Sequence, residues 1–305
     1  SPLTNNYVMD LIEYKGKLWS ATDGGGINLI DLENDEFSFL NHTTGDASSL
    51  PTNSIIRLYK DYNDHLWIGS VRGGATCVKE SYIQTYQDVI LNQPTGLTEK
   101  AVTSLYEEEN GQLWIGTDGG GINLYDPKAD KFFHYPMTYG DKVISITNLS
   151  KEELLISIYT KGLFVFNKRT KEYKRFVVVD ENTNRRTCFN GYVTLVNEVA
   201  NDKIYIIGYE GWIYHTKDKK FTPLVLPEKY QKKVSPLQMS YSDDEFSLLR
   251  QGNVIFMADV KTDSIQILTE APINETITSI TYDKDRRTIW IGTNRGLNYY
   301  QRDEK

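Results

Sequence analysis

Cysteine, histidine, long apolar runs and helical periodicity are all scarce in this sequence, and each scarcity excludes something. Only Cys77 and Cys188 occur among 305 residues. Two thiols so far apart suit neither a disulfide framework nor a metal knuckle, so both are expected to be unpaired, partly buried small hydrophobes. No apolar stretch approaches the ~18 residues of a membrane span, and no signal-peptide pattern is visible. Any targeting or anchoring segment is therefore expected outside this chain. The four histidines, His42, His65, His134 and His215, are scattered without a repeated carboxylate partner, and neither H-E-x-x-H nor G-x-S-x-G occurs. Basic residues are in deficit: 34 Lys and Arg face 41 Asp and Glu, a formal charge of -7. That balance argues against nucleic acid or an anionic membrane surface as the main partner.

What is present is a repeat. The core Leu113-Trp114-Ile115-Gly116-Thr117 has close copies at Leu18-Trp19, Leu66-Trp67 and Ile289-Trp290, and degenerate copies around Leu155, Tyr205 and Ser247. Anchors at 19, 67, 114, 155, 205, 247 and 290 recur about every 45 residues. Around each anchor lie four strand signals separated by polar or glycine turns, as in Ser54–Tyr59, the anchor itself, Gly121–Tyr125 and Lys131–Tyr135. Four antiparallel strands per period predict an all-β, seven-bladed propeller. The blades run approximately 1–45, 46–93, 94–138, 139–180, 181–229, 230–271 and 272–305 of a single domain. The anchor strands are almost continuously apolar, the pattern of a strand covered on both faces. Trp19, Trp67, Trp114 and Trp290 therefore read as structural anchors that fill space between neighbouring blades. The last copy lacks its outer strand at both ends of the chain. A longer protein whose adjoining segment supplies that strand is the simplest expectation.

The stretch "LWIGTDGGGINLYDP", from Leu113 to Pro127, has echoes in "LWSATDGGGINLID", "LWIGSVRGGATCV" and "IWIGTNRGLNYY". With the lead-ins Leu3–Val8 and Leu50–Ile55, it resembles the two-component-regulator propeller repeat, which builds the periplasmic sensor region of bacterial hybrid two-component systems. The resemblance spans the chain, strong in blades 1, 2, 3 and 7 and weak in blades 4 to 6. It implies a periplasmic location and an oligosaccharide ligand. It also implies a parent protein in which an immunoglobulin-like domain, a membrane helix, a histidine kinase and a DNA-binding output follow. Those later modules are not in this chain, so their activities are not its own. Partners implied are an adjacent propeller or immunoglobulin-like domain, and a homodimer; contact with the membrane would come only through other segments.

Three glycines after Asp118 raise two alternatives, a phosphate cradle or a tight turn. A phosphate loop opens a helix, whereas this triplet leads into a strand. Glycine recurs there as Gly26, Gly74, Gly162, Gly211, Gly252 and Gly296, where a positive φ is expected. Asp23 and Asp118 could pass for paired glycosidase carboxylates, but their equivalent places in the repeat favour capping of the turn by the aspartate side chain. No catalytic residue, cofactor or metal is expected. The loops that join second to third strands vary between repeats and would gather on one face. The candidate ligand contacts there are Asp23, Arg72, Asp118, Tyr159, Lys161, Tyr209, Glu210, Trp212, Asn294 and Arg295. A sugar site needs aromatic faces beside polar groups, and this set offers both; packing between blades and a solvated rim is the structural alternative. Basic pairs such as Lys168-Arg169, Lys174-Arg175, Arg185-Arg186 and Lys217–Lys220 suit either an acidic saccharide or a solvated edge. The expected function is extracytoplasmic ligand sensing that passes a signal to a kinase elsewhere. A protein-interaction scaffold is the alternative, and a glycan hydrolase or lyase a further one.

Overall fold

The computed structural model describes residues 3–302 except 35, 47, 79–82, 87–95, 138–140, 181–184, 189–192, 201, 232–234 and 272–273, with backbone alone at 83–84, 178–180, 185–188 and 194–200. The fold is an all-β, seven-bladed propeller of antiparallel sheets in which each strand pairs with the next in sequence. Blade 1 comprises Val8–Tyr14, Lys17–Thr22, Gly26–Asp31 and Glu36–Leu40. Blade 2 comprises Ile55–Lys60, Leu66–Ser70, Ala75–Val78 and Ile83–Tyr86. Blade 3 comprises Val102–Glu107, Leu113–Thr117, Ile122–Asp126 and Lys131–Tyr135. Blade 4 comprises Val143–Ser150, Glu153–Ile158, Gly162–Asn167 and Tyr173–Arg175. Blade 5 comprises Val193–Ala200, Lys203–Gly208, Gly211–His215 and Lys220–Leu224. Blade 6 comprises Gln238–Ser242, Phe246–Gln251, Val254–Asp259 and Ile265–Glu270. Blade 7 has three strands, Ile277–Asp283, Thr288–Thr293 and Gly296–Gln301. Among the described residues the only helix is the 3-10 turn Glu228–Tyr230, and no helix is long and apolar enough to cross a membrane.

The chain forms two compact units, one of Ser1–Pro136 with Ala271–Lys305 and one of Met137–Glu270. The first therefore holds blades 1, 2, 3 and 7, and the second blades 4, 5 and 6. Within the first unit, Val8 and Leu18 of blade 1 share a core with Trp290 and Leu297 of blade 7. Trp19 and Ile27 of blade 1 pack on Ile55 and Ile68 of blade 2. Trp67 and Cys77 of blade 2 pack on Leu113 and Tyr125 of blade 3. In the second unit, Leu155 and Val165 of blade 4 meet Ile206 and Tyr214 of blade 5, while Tyr205 and Ile213 of blade 5 meet Leu249 and Phe256 of blade 6. Burying each such side chain contributes about 1.5–3 kcal/mol, so the second strands, covered on both faces, carry most of the core. All seven anchors fall on second strands, and Trp114 is 2% exposed. Trp290 is only partly buried.

The glycine triplet is a turn. Gly119 and Gly121 have φ of 106° and 76°, and Gly120 has no room for a side chain, since a Cβ would lie 2.5 Å from Thr98 Oγ1. Thr98 itself is fixed: its amide and hydroxyl both donate to Asn123 Oδ1 at 3.0 and 3.1 Å. Thr4 makes the same pair of bonds to Asn28 over Gly25. Amides of the equivalent turns already have protein acceptors: Gly24 and Gly26 donate to Asn53 O, and Gly74 donates to Lys100 O. The threonine before the aspartate closes the turn. Thr22 Oγ1 donates to Gly26 O and Thr117 Oγ1 to Gly121 O, each at 2.9 Å. Gly211 also departs from expectation, because its φ is not positive; a Cβ there would strike Leu224 at 2.9 Å, so the requirement is for space.

Two further features were not anticipated. A hairpin of Val177–Asp180 and Arg185–Cys188 stands as its own two-stranded sheet, and the boundary drawn at residue 180 falls inside it. The expectation for Cys188 lies outside the described side chains, whereas Cys77 is buried.

Candidate functional site

The turns between second and third strands place the candidate contacts in each unit. In the first unit, Asp23 is exposed and accepts a hydrogen bond from Ser54 Oγ of blade 2. Arg72 is exposed with φ of 62°, the left-handed conformation usually left to glycine. Asp118 is exposed and donates its amide to Ala101 O at 2.9 Å. Asn294 Oδ1 accepts the Thr276 amide at 2.9 Å, and the exposed Arg295 donates its amide to Thr293 Oγ1 at 3.1 Å. In the second unit, Tyr159 is exposed and the Lys161 ammonium pairs with the buried Asp141 carboxylate. The basic side chains of blades 4 and 5 are largely matched locally: Lys174 lies 2.9 Å from Glu153, Lys217 3.4 Å from Asp202, and Arg169 3.9 Å from Glu152. Such exposed pairs contribute little to stability, but they dilute the positive edge read from sequence.

Three of the candidates, Tyr209, Glu210 and Trp212, meet in a cleft of about 260 Å³ between blades 5 and 6. Gly208 N donates to Glu210 O at 2.9 Å, while Gly208 O takes the Leu237 amide at 2.7 Å. These bonds lock the blade 5 turn to the segment that leads into blade 6. Tyr209 is 50% exposed. Trp212 is half-buried, with its ring edge-on to Phe221 at 6.5 Å. The facing wall comes from Val225, Leu226, Tyr230, Gln231 and Leu237, on a link that turns through Glu228–Tyr230 after Pro227. Tyr230 stacks edge-on against Phe256 at 5.3 Å, and its hydroxyl donates to Glu270, which Lys229 also approaches. Those two donors hold the Glu270 carboxyl below its ordinary range, the tyrosine first. Gln231 Nε2 donates to Leu226 O at 3.0 Å and Gln251 Nε2 to Ser235 O at 2.9 Å, so both amides are oriented before any ligand arrives.

Sequence alone did not point to Tyr230 and Gln231. The signal was present, an aromatic and an amide following Pro227 in a long link, but attention to the second-to-third turns passes over it. Among the described residues, the cleft lining has aromatic faces, two amides and one carboxylate. Aromatic faces beside oriented amides suit holding a neutral polar ligand. Among the described residues, no three His, Cys, Asp or Glu converge to hold a metal ion. Among the histidines, His65 Nδ1 lies 3.1 Å from Asp61.

The family model described as "Two component regulator propeller" matches residues 49–72 and 96–119. Each match runs from a Leu lead-in through an anchor strand into the glycine turn. Two segments of the chain thus match the two-component regulator propeller repeat. Among solved structures, this propeller is similar to the extracellular domain of the hybrid two component system BT3049 from B. thetaiotaomicron, with a TM-score of 0.76 and 22% identity. It is also similar to PorZ, a surface component of the type-IX secretion system of Porphyromonas gingivalis, with a TM-score of 0.68 and 15% identity. The match covers 97% of this chain in both cases, but only 40% and 37% of those proteins. The WD40 β-propeller domain of Doa1 superimposes with a TM-score of 0.69 at 12% identity, over 99% of this chain and 94% of that one. At these identities the likenesses establish the fold. No curated protein matches in sequence.

Proposed function

We propose that this propeller is an extracytoplasmic ligand-sensing domain of a two-component signalling protein, without catalysis of its own, and that it holds an oligosaccharide in the cleft between blades 5 and 6. The observation that carries this reading is the union of Tyr209, Trp212 and Tyr230 with the oriented amides of Gln231 and Gln251 in one cleft. Apolar sugar faces stack on aromatic rings, and sugar hydroxyls both donate to and accept from amides and carboxylates. The regulator repeats at 49–72 and 96–119 support the signalling role, as does the likeness to an extracellular domain of a hybrid two component system. Binding would reach a kinase carried elsewhere by changing how this propeller packs on a neighbouring propeller, an immunoglobulin-like domain or a second copy. A ligand shifts such packing only by its differential affinity for the two arrangements.

A scaffold reading draws on a different observation. The third strand of blade 7 has no fourth strand beside it among the described residues, and Tyr299 on it is 67% exposed. An open strand edge accepts another chain.

A glycan array followed by calorimetry on the wild type, Trp212→Ala and Tyr209→Ala separates the readings. Sensing predicts binding of at least one oligosaccharide without product release, weakened about tenfold by either folded variant, as expected for loss of an aromatic platform. Silence on every glycan together with capture of a protein through blade 7 would favour the scaffold. Release of product would restore an enzyme.

A further inference from the structure

A second cavity, of about 310 Å³, lies between blades 2 and 3. It sits where first strands turn into second strands, at the opposite end of these sheets from the glycine turns. Its polar wall is acidic. Asp61 is fully engaged: Oδ1 accepts the amides of Asn63 and His65 at 3.0 and 2.7 Å, and Oδ2 accepts the Trp67 indole at 2.9 Å and faces His65 Nδ1 at 3.1 Å. Glu107 is not. It is 4% exposed, and its Oε2 accepts the Tyr62 amide at 2.7 Å. Its Oε1 takes no hydrogen bond among the described residues, and a Cβ built on Gly111, itself part of the lining, would lie 4.0 Å from that oxygen.

The rest of the lining points the same way. Trp67 stacks on Tyr86 at 6.1 Å and meets Tyr125 edge-on at 5.6 Å, forming an aromatic floor. Tyr86 and Tyr125 share a hydrogen bond of 2.8 Å and both contact Asp130. Burial keeps them neutral phenols, with Tyr125 pushed up to about 12. Among the described residues, no lysine or arginine lines the cavity. A carboxylate oxygen that faces the cavity attracts a positive charge, and aromatic faces add to that attraction. An inorganic ion does not suit, since no three ligating side chains converge among the described residues. We propose that this cavity binds a compact organic cation, an alkylammonium or guanidinium head, which pairs with Glu107 and lies on the Trp67–Tyr86–Tyr125 floor. The head belongs either to a free amine or to a lysine or arginine of a partner protein.

Titration followed through the Trp67 indole N–H resonance tests this. The probes are tetramethylammonium, a capped lysine peptide and tert-butanol as the neutral shape control. Both cations are expected to shift the resonance saturably while tert-butanol does not. Glu107→Gln, which keeps an acceptor for Tyr62, is expected to weaken the cations by about tenfold or more, as expected for loss of a buried charge partner. Asn63→Lys, a change at the exposed mouth, is expected to block the site with its own ammonium without touching a buried group. Tighter binding of the peptide assigns the site to a protein partner, and tighter binding of tetramethylammonium assigns it to a small amine. Equal binding of tert-butanol, no saturable shift from any cation, or unchanged affinity in both folded variants would overturn the proposal.

Discussion

Trp67 and Trp290 occupy the same position of the repeat, yet their indole nitrogens meet different ends. Trp67 Nε1 donates to the buried Asp61, whereas Trp290 Nε1 is buried with no acceptor among the described residues. Trp67→Phe should therefore cost about 1–3 kcal/mol by leaving Asp61 short of a donor, while Trp290→Phe should change stability by less than about 1 kcal/mol. Urea midpoints of the two variants check this. Glu107 gives a pH-dependent counterpart. Burial raises its carboxyl above the ordinary value, Asp61 adds to this, and the Tyr62 amide opposes it. A raised folded-state value subtracts nothing below about pH 4, where the acid is neutral in both states. The subtraction grows as pH climbs and is complete above the folded value. Glu107→Gln should thus raise the urea midpoint at pH 7, and the gain should shrink to nothing as pH falls below about 4. None of this was visible in sequence, because Asp61, Glu107 and Trp67 come together only when two blades stack. The anchors were visible, since a repeated Leu-Trp-Ile-Gly needs no partner to be recognised.

At the scale of the element, each blade is a meander whose last strand is the least protected. Gly296–Gln301 pairs on one side with Thr288–Thr293, and no fourth strand flanks it among the described residues. Ile122–Asp126, its counterpart in blade 3, is paired on both sides. Native hydrogen exchange should therefore be faster for outward amides of Gly296–Gln301 than for those of Ile122–Asp126. Equal protection would mean that something covers the edge. Strands were legible wherever they followed the period, even in blades 4 to 6, where a bare apolar run around Leu155 or Tyr205 sufficed. The hairpin Val177–Asp180 with Arg185–Cys188 was not, because it belongs to no repeat and its valines pass for another blade strand. The blade 5–6 cleft was half legible: Tyr209, Glu210 and Trp212 sit on a turn the period locates, whereas Tyr230 and Gln231 sit on a link whose length varies between blades.

For the whole molecule, ligand binding and stability are linked. A ligand held by the folded state at a hundred times its dissociation constant adds about 2.7 kcal/mol, so a cognate oligosaccharide should raise the melting temperature, and the tenfold weaker Trp212→Ala should show about half the rise at the same concentration. Differential scanning calorimetry reads both. A separate consequence follows from how blade 7 meets blade 1. Thr278 Oγ1 donates to Val8 O, 270 residues away in sequence, whereas ties such as Thr98 to Asn123 span 25. Blade-local ties close small loops and form early, while the contact between first and last sheets must wait for the far end of the chain. During synthesis, blades 4 to 6 can therefore finish folding while Val8 and Leu18 are still uncovered, and the completion of the first unit is the natural slow step.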